Sequence, residues 1–323
     1  MRARRWLSTM ALSACASACG TSTPAAPTDA GVDAAAPIVD PKRFDCTSLG
    51  GGLPVRKAAS TPECLRDPTC TTRLVSGHRG AGGQLGRIAP EDTLASYRAA
   101  VVIGLDIVET DPRPTSDGVL VNMHDTSVDR TTNGTGDVAS MTFDQIRKLA
   151  IKTELPGDYS CERVPTLREL LELCVGRALV LVDANKTDRV DLLVQAIIDA
   201  KALDWAVFDT STVAKIDQAL AIEPKLMIMP RIASADEATA VLAHFGSHVP
   251  VFVEIDSAVF PVAVDVIHAG KSRAFTDVFG TDLSVKFGGD PKGYLDDYAK
   301  GADVLQTDLP DEVLRVLGRP VPP

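Results

Sequence analysis

Short apolar, β-branched runs alternating with amphipathic helical stretches constrain this chain more than any other feature. The runs fall at residues 74–75, 105–108, 119–123, 178–182, 206–208, 226–229, 249–255, 274–279 and 304–306. Between most of them lie helix-start signals in which a hydroxyl residue is followed three positions later by Gln or Glu: Thr142-Phe143-Asp144-Gln145, Thr166-Leu167-Arg168-Glu169 and Ser234-Ala235-Asp236-Glu237. Strands that alternate with helices need crossover connections and so build a parallel sheet. Residues 71–323 have the length of one (β/α)8 TIM barrel, which is the expected fold class; an open doubly wound sheet is the competing architecture. Nine runs for eight places leave one in surplus. The run at 274–279, flanked by Arg273 and containing Asp277, is the weakest.

One connection is too short for a helix. Between Asp111 and Val119 stand Pro112 and Pro114, which disfavour a ladder strand, while eight extended residues reach about 27 Å. The expectation is a missing helix between strands 2 and 3, with Ser116-Asp117-Gly118 as a turn at the bottom of the barrel.

Three of the runs end in groups that titrate or bind ions: Gly77-His78-Arg79-Gly80, Glu109-Thr110-Asp111 and His124-Asp125. Glu109 and Asp111, two apart on a strand, face one side and repel each other unless a cation lies between them, and oxygen donors of this kind suit Mg²⁺ or Ca²⁺. The same spacing recurs in Asp183-Ala184-Asn185 and Glu254-Ile255-Asp256. Three such pairs at the C-terminal ends of strands lie where barrel active sites are built. Arg79 can fork onto phosphate or carboxylate, and Asp125 can orient the His124 ring. A dinucleotide loop is excluded, because Gly80-Ala81-Gly82-Gly83-Gln84-Leu85-Gly86 places Leu85 where the third glycine is needed.

The ordered series His78-Arg79-Gly80, Ala89-Pro90-Glu91-Asp92-Thr93, Glu109-Thr110-Asp111, Asp117-Gly118, His124-Asp125, Asp129-Arg130-Thr131-Thr132, Val164-Pro165-Thr166-Leu167 and Gln306-Thr307-Asp308-Leu309-Pro310 resembles the glycerophosphodiester phosphodiesterase family. The resemblance implies a barrel with one divalent cation, Ca²⁺ or Mg²⁺, held by Glu109 and Asp111. It makes Asp183 the counterpart of the family's third ligand, a glutamate in Glu-x-Lys. Asn185 then stands for the family lysine, Lys186 faces the other way, and Asp92 replaces the usual asparagine. Glu254 and Asp256 have no counterpart.

The implied activity is metal-dependent hydrolysis of a small-molecule or lipid phosphodiester, with His78 and His124 as acid and base and Arg79 on the phosphate. The alternatives are a phospholipase D-like or lysophospholipid-cleaving relative, and a lipoprotein that binds a phosphorylated ligand without turning it over. A formal net charge of −10 argues against nucleic acid as partner.

The first residues read as a targeting segment. Arg2, Arg4 and Arg5 precede a short apolar stretch, and Leu12-Ser13-Ala14-Cys15 resembles a lipoprotein processing site. Residues 1–14 are expected to be a signal peptide and Cys15 the lipidated residue, giving membrane contact through an anchor in an exported, cell-envelope protein. Residues 15–41, poor in bulky apolar side chains, read as a flexible tether, and 42–70 as a cysteine-containing extension before the barrel. An exported compartment permits disulfides; one is expected among Cys46, Cys64 and Cys70, and a second between Cys161 and Cys174, with free buried thiols as the alternative for that pair.

Overall fold

The computed structural model describes residues 38–48, 52–54, 64, 65, 67, 70–319 and 321. Eight parallel strands close into a barrel in the order β1 (Leu74–Gly77), β10 (Val304–Thr307), β9 (Arg273–Asp277), β8 (Phe252–Ile255), β7 (Met227–Ile232), β6 (Ala206–Thr210), β5 (Leu179–Asp183) and β2 (Ile107–Thr110), which returns to β1. The surplus run is therefore at 119–123, and the doubtful one at 274–279 supplies a full barrel strand. Arg273, which made that run suspect, lies at the N-terminal end of β9. There its guanidinium bonds to the carbonyls of Cys64 and Cys70.

Alternate side chains of each strand face the axis. In the lower barrel these are apolar: Leu74, Ile107, Leu181, Met229, Phe252 and Phe275 belong to one buried cluster. Each such side chain contributes about 1.5–3 kcal/mol relative to exposure. At the C-terminal end the same inward positions become His78, Glu109, Asp183, Asp209, Arg231, Glu254 and Asp277. The helices α1 (Leu94–Ile103), α3 (Leu167–Cys174), α4 (Val190–Asp199), α5 (Val213–Ile222) and α6 (Ala235–Phe245) pack a second, larger apolar layer outside the strands. Thr166 and Glu169 close a reciprocal cap on α3, as do Thr142 and Gln145 on the short α2 (Phe143–Ile146). At Ser234 the cap is split: its hydroxyl accepts from Glu237 N–H, whereas the Glu237 carboxylate reaches back to Ala233 N–H.

The run at 119–123 is overturned as a barrel strand. β3 (Pro112–Pro114) and β4 (Leu120–Asn122) form an antiparallel hairpin outside the barrel, and α3 fills the crossover between β2 and β5, so no barrel helix is missing there. The turn does fall at Thr115–Val119, but it tips a hairpin instead of reaching the barrel's bottom. Thr115 N–H donates to Val119 O, so Pro112 and Pro114, one residue out of phase, turn their donorless nitrogens to the open edge. The excursion carries a core of its own, with Val121, Met123, Val128, Val138, Ile146 and Val164.

Residues 38–41, expected within the tether, are packed: Val39 and Phe44 are fully buried, and Tyr159 Oη donates to Pro41 O at 3.0 Å. Disulfides join Cys64 to Cys70, within the expected trio, and Cys46 to Cys161; the expected Cys161–Cys174 pair is not formed. Cys174 is a buried free thiol on the inner face of α3, whereas Cys161 meets the N-terminal strap. The segment 1–37, with the expected signal peptide and Cys15, lies outside the described residues. Among the described residues no helix is long and apolar enough to cross a membrane.

Candidate active site

β1 ends in a turn built for close approach. A Cβ on Gly77 would lie 1.9 Å from Gly80 O, and Arg79 takes a left-handed φ of 50°. The turn aims Arg79 N–H at Glu109 Oε2, 2.9 Å away, and points the His78 ring across the barrel mouth, with Nε2 4.0 Å from the same oxygen. His78 Nδ1 bonds to Asp308 Oδ1 at 2.8 Å. Asp308, just past β10, also accepts from Gly83 N–H and Leu85 N–H at 2.8 and 2.7 Å. Gly83 has to be glycine, because its Cβ would sit 2.7 Å from both Asp308 Oδ1 and His78 Nδ1.

Glu109, Asp111 and Asp183 are buried and offer oxygens that all lie within 4.8 Å of one another. Asp111 Oδ2 is buried without a hydrogen-bond partner, and burial followed by the Asp111 charge pushes the Glu109 carboxyl well above its usual range. An all-carboxylate donor set with an orphaned oxygen fits a hard divalent cation. Three side-chain cations frame the set: Arg79 Nε at 3.6 Å from Asp111, Lys186 Nζ at 3.3 Å from Asp111 and 3.8 Å from Asp183, and Arg231 Nη2 at 3.3 Å from Asp183.

Lys186 therefore does not face away. After β5 the chain makes a single 3-10 turn over Ala184–Lys186, in which residues three apart stack on one side, so Lys186 returns above Asp183. Asn185 is the residue turned aside. Its amide donates to Asp183 Oδ1 at 2.7 Å, and its Oδ1 accepts from Thr210 and Ser211.

His124 arrives on the hairpin, not on a barrel strand. Met123 N–H donates to Asp111 O at 3.0 Å, and Arg113 on β3 grips the carbonyls of Met123, His124 and Lys186. His124 Nδ1 bonds to Asp125 Oδ1 at 2.9 Å, Asp125 pairs with Arg130, and Arg130 and Arg79 share Glu91. The two imidazoles differ in proton affinity. Burial lowers the affinity of His78, but the Asp308 bond and the charges of Glu109 and Asp308 prevail and raise its pKa to about 9. His124 is pushed below its ordinary value, mainly by burial, with Asp125 opposing. The two rings are thus shifted in opposite directions.

Asp92 has a left-handed φ of 55°, which Asn and Asp tolerate better than most residues. Burial first, then Asp111 and Glu91, raises its carboxyl to about 8. Glu254 is tied to Arg231 Nε at 3.0 Å and raised to about 8, first by burial, whereas Asp256 is exposed and caps its own turn. The sequence reading assigned no role to Asp308, Lys186, Arg231, Glu91 or Arg113. Only Asp308 left a usable signal, as an acid at the end of the last strand.

A carboxylate set fit for a cation, beside two carboxylate-held imidazoles at the mouth of a parallel barrel, can hold a metal ion and exchange protons with a bound ligand. The chain belongs to the glycerophosphoryl diester phosphodiesterase family, whose model matches residues 78–250. It is 46% identical over 106 residues to human glycerophosphodiester phosphodiesterase 1, covering 32% of this chain and 31% of that protein. It is 42% identical over 100 residues to the Caldanaerobacter subterraneus glycerophosphodiester phosphodiesterase, covering 31% and 40%. The chain thus spans about a third of the length of the curated relatives it matches. The barrel is similar to a crystal structure of a glycerophosphoryl diester phosphodiesterase from Parabacteroides distasonis, with a TM-score of 0.68 at 22% identity over 84% of this chain and 94% of that one. It is also similar to an Oleispira antarctica phosphodiesterase solved with the product sn-glycerol-3-phosphate, with a TM-score of 0.63 at 22% identity over 78% and 99%.

Proposed function

We propose that this chain hydrolyses glycerophosphodiesters to an alcohol and glycerol phosphate in a reaction that depends on one divalent cation, Ca²⁺ or Mg²⁺. The observation that carries the reading is the buried triad Glu109, Asp111 and Asp183 with the two Nδ1-anchored imidazoles of His78 and His124 beside it. The names of the matched relatives and the product in the Oleispira structure support the same substrate class.

Glu109, Asp111 and Asp183 would hold the cation, which supplies Lewis-acid neutralisation of charge on the phosphoryl oxygens. Arg79 and Lys186 add positive charge beside it. Asp308 and Asp125 fix the His78 and His124 rings so that each presents Nε2 to the substrate. One imidazole takes a proton from the attacking water as its oxygen bonds to phosphorus. The other gives a proton to the departing alkoxide as the P–O bond to the alcohol breaks.

The test is a screen of glycerophosphodiesters with and without chelator, with His124→Ala beside the parent chain. Turnover is expected to vanish with chelator and to fall about 10²–10⁴-fold in His124→Ala. Full metal-dependent turnover by that variant would remove His124 from the mechanism.

The placement we propose is a lipid anchor at Cys15 on the cell envelope. It is supported by the basic and short apolar leader and by two disulfides, which suit an oxidising compartment. Labelling of the intact cell with a radioactive fatty acid, lost in Cys15→Ala, is the expected result.

A further inference from the structure

His124 reaches the barrel mouth on an excursion whose hydrophobic core is separate from that of the barrel. A unit packed on its own core can shift against its neighbour, and a displacement of about 1 Å at a reacting group can cost about 10²-fold in rate. One guanidinium ties the two units together beside the reacting groups.

Arg113 is the middle residue of β3, between Pro112 and Pro114, and stands two positions after Asp111. The proline that follows confines Arg113 to extended backbone, so its side chain starts from a stiff root. Nε donates to Met123 O at 3.0 Å and to His124 O at 3.1 Å, Nη2 donates to His124 O at 2.7 Å, and Nη1 crosses to Lys186 O at 3.3 Å. The first two carbonyls belong to the end of the hairpin and the third to the 3-10 turn that follows β5. A single planar fork thus spans the residue that carries an imidazole and the residue that carries an ammonium beside Asp111 and Asp183.

The acceptors show which property of the side chain is used. Asp111, Asp125 and Asp183 all act on Arg113 electrostatically, yet among the described residues its donors go to neutral carbonyls and to no carboxylate. A cation kept for its charge would pair with one of those acids; here the fork geometry is what counts. Lys215 holds the carbonyls of Ala184 and Thr187, at 3.0 and 2.9 Å, which makes the turn a fixed point for Arg113 to hold. The His124 ring is oriented separately by Asp125, itself bonded to Arg130. Arg113 therefore sets where the imidazole stands, and Asp125 sets how it faces.

Resting on the hydrolase reading above, we propose that Arg113 is a positioning residue that registers His124 against the cation site through the Lys186 carbonyl. All its contacts are with backbone, so it acts through His124 and Lys186. The role needs three coplanar donor nitrogens, which lysine does not have.

The experiment measures glycerophosphocholine turnover in the full chain and in two variants: Arg113→Lys, which keeps the charge without the fork, and Arg113→Met, which keeps only the apolar stem. Both are expected to lose about 10²-fold in kcat with KM little changed. Restoration of kcat by lysine would show that charge suffices and overturn the proposal. In a His124→Ala background the cost of Arg113→Lys is expected to shrink at least about tenfold, because the group being positioned is gone. An undiminished cost there would make Arg113 merely structural and overturn the proposal.

A second readout, independent of turnover, is the rate at which diethylpyrocarbonate modifies each imidazole, followed by mass spectrometry. His124 is expected to react severalfold faster in Arg113→Lys, with the His78 rate unmoved. If the parent cleaves no glycerophosphodiester, the hydrolase reading fails and this arm alone decides. Faster modification confined to His124 upholds the positioning role, whereas unchanged rates, or equal acceleration of both rings, overturns it.

Discussion

Asp308 shows how one side chain sets the chemistry of another 230 positions away. It is buried, which alone would raise its carboxyl, yet the bond from His78 and the two backbone N–H donors hold it below its usual range. An ionised acid here both orients the His78 ring and keeps it protonated. In Asp308→Asn the imidazole loses its charged acceptor while its burial remains, so the His78 pKa should fall from about 9. NMR titration of the ring reads this shift directly, and turnover is expected to drop within the about 10²–10⁴-fold range of a proton-transfer partner. An unmoved His78 titration would refute the assignment. His78, His124, Glu109 and Asp111 were legible in the sequence because their chemistry is carried by short local motifs. Arg231 acts across the barrel, and a distance of that kind leaves no periodic trace; Asp308 showed only as an acid at the end of the last strand, without its partner.

Among the elements, the 3-10 turn after β5 decides which residue serves the site. A strand continued past Asp183 would have sent position 185 inward and Lys186 outward, which is the sequence expectation. The tighter period reverses the two. Lys186→Ala is expected to lower kcat/KM about 10²-fold, as loss of one charge-stabilising donor does. Adding Asn185→Lys should not rescue it, because that side chain points at Thr210 and Ser211. Rescue to within a few-fold of the parent would show that the turn is not held as described. The hairpin carries the same lesson: Pro112 and Pro114 read as strand breakers, yet an edge needs no donor at those positions.

For the molecule as a whole, the polar barrel mouth and the N-terminal strap determine how stability responds to conditions. Asp92, Glu254 and Asp282 are raised to about 8, about 8 and about 7, each first by burial, and His78 to about 9 by its carboxylate neighbours against burial. All four hold a proton in the folded chain at pH values where the unfolded chain has released it. Stability from these groups is thus complete below about pH 4 and is lost as pH rises through 7 to 9. In chelator, the midpoint of thermal unfolding should be higher at pH 5.5 than at pH 9, and a rise across that interval would contradict the assignments. The strap is closed by Cys46–Cys161, which spans 115 residues. Cys46→Ser should reduce the free energy of unfolding by about 2–4 kcal/mol, measured in denaturant under non-reducing conditions.

The sequence by itself determined the barrel, through the alternation of short apolar runs with capped helices, and the identities of the ligand and histidine candidates, through motifs at the strand ends. Both are local properties: periodicity and capping depend on residues within a few positions of one another. Tertiary structure alone decided which run was the outsider, which cysteines paired, that Lys186 and not Asn185 faces the carboxylates, and that Asp308 holds the His78 imidazole. Those outcomes depend on where closure of the sheet places segments far apart in the chain, and packing, not local propensity, sets that distance.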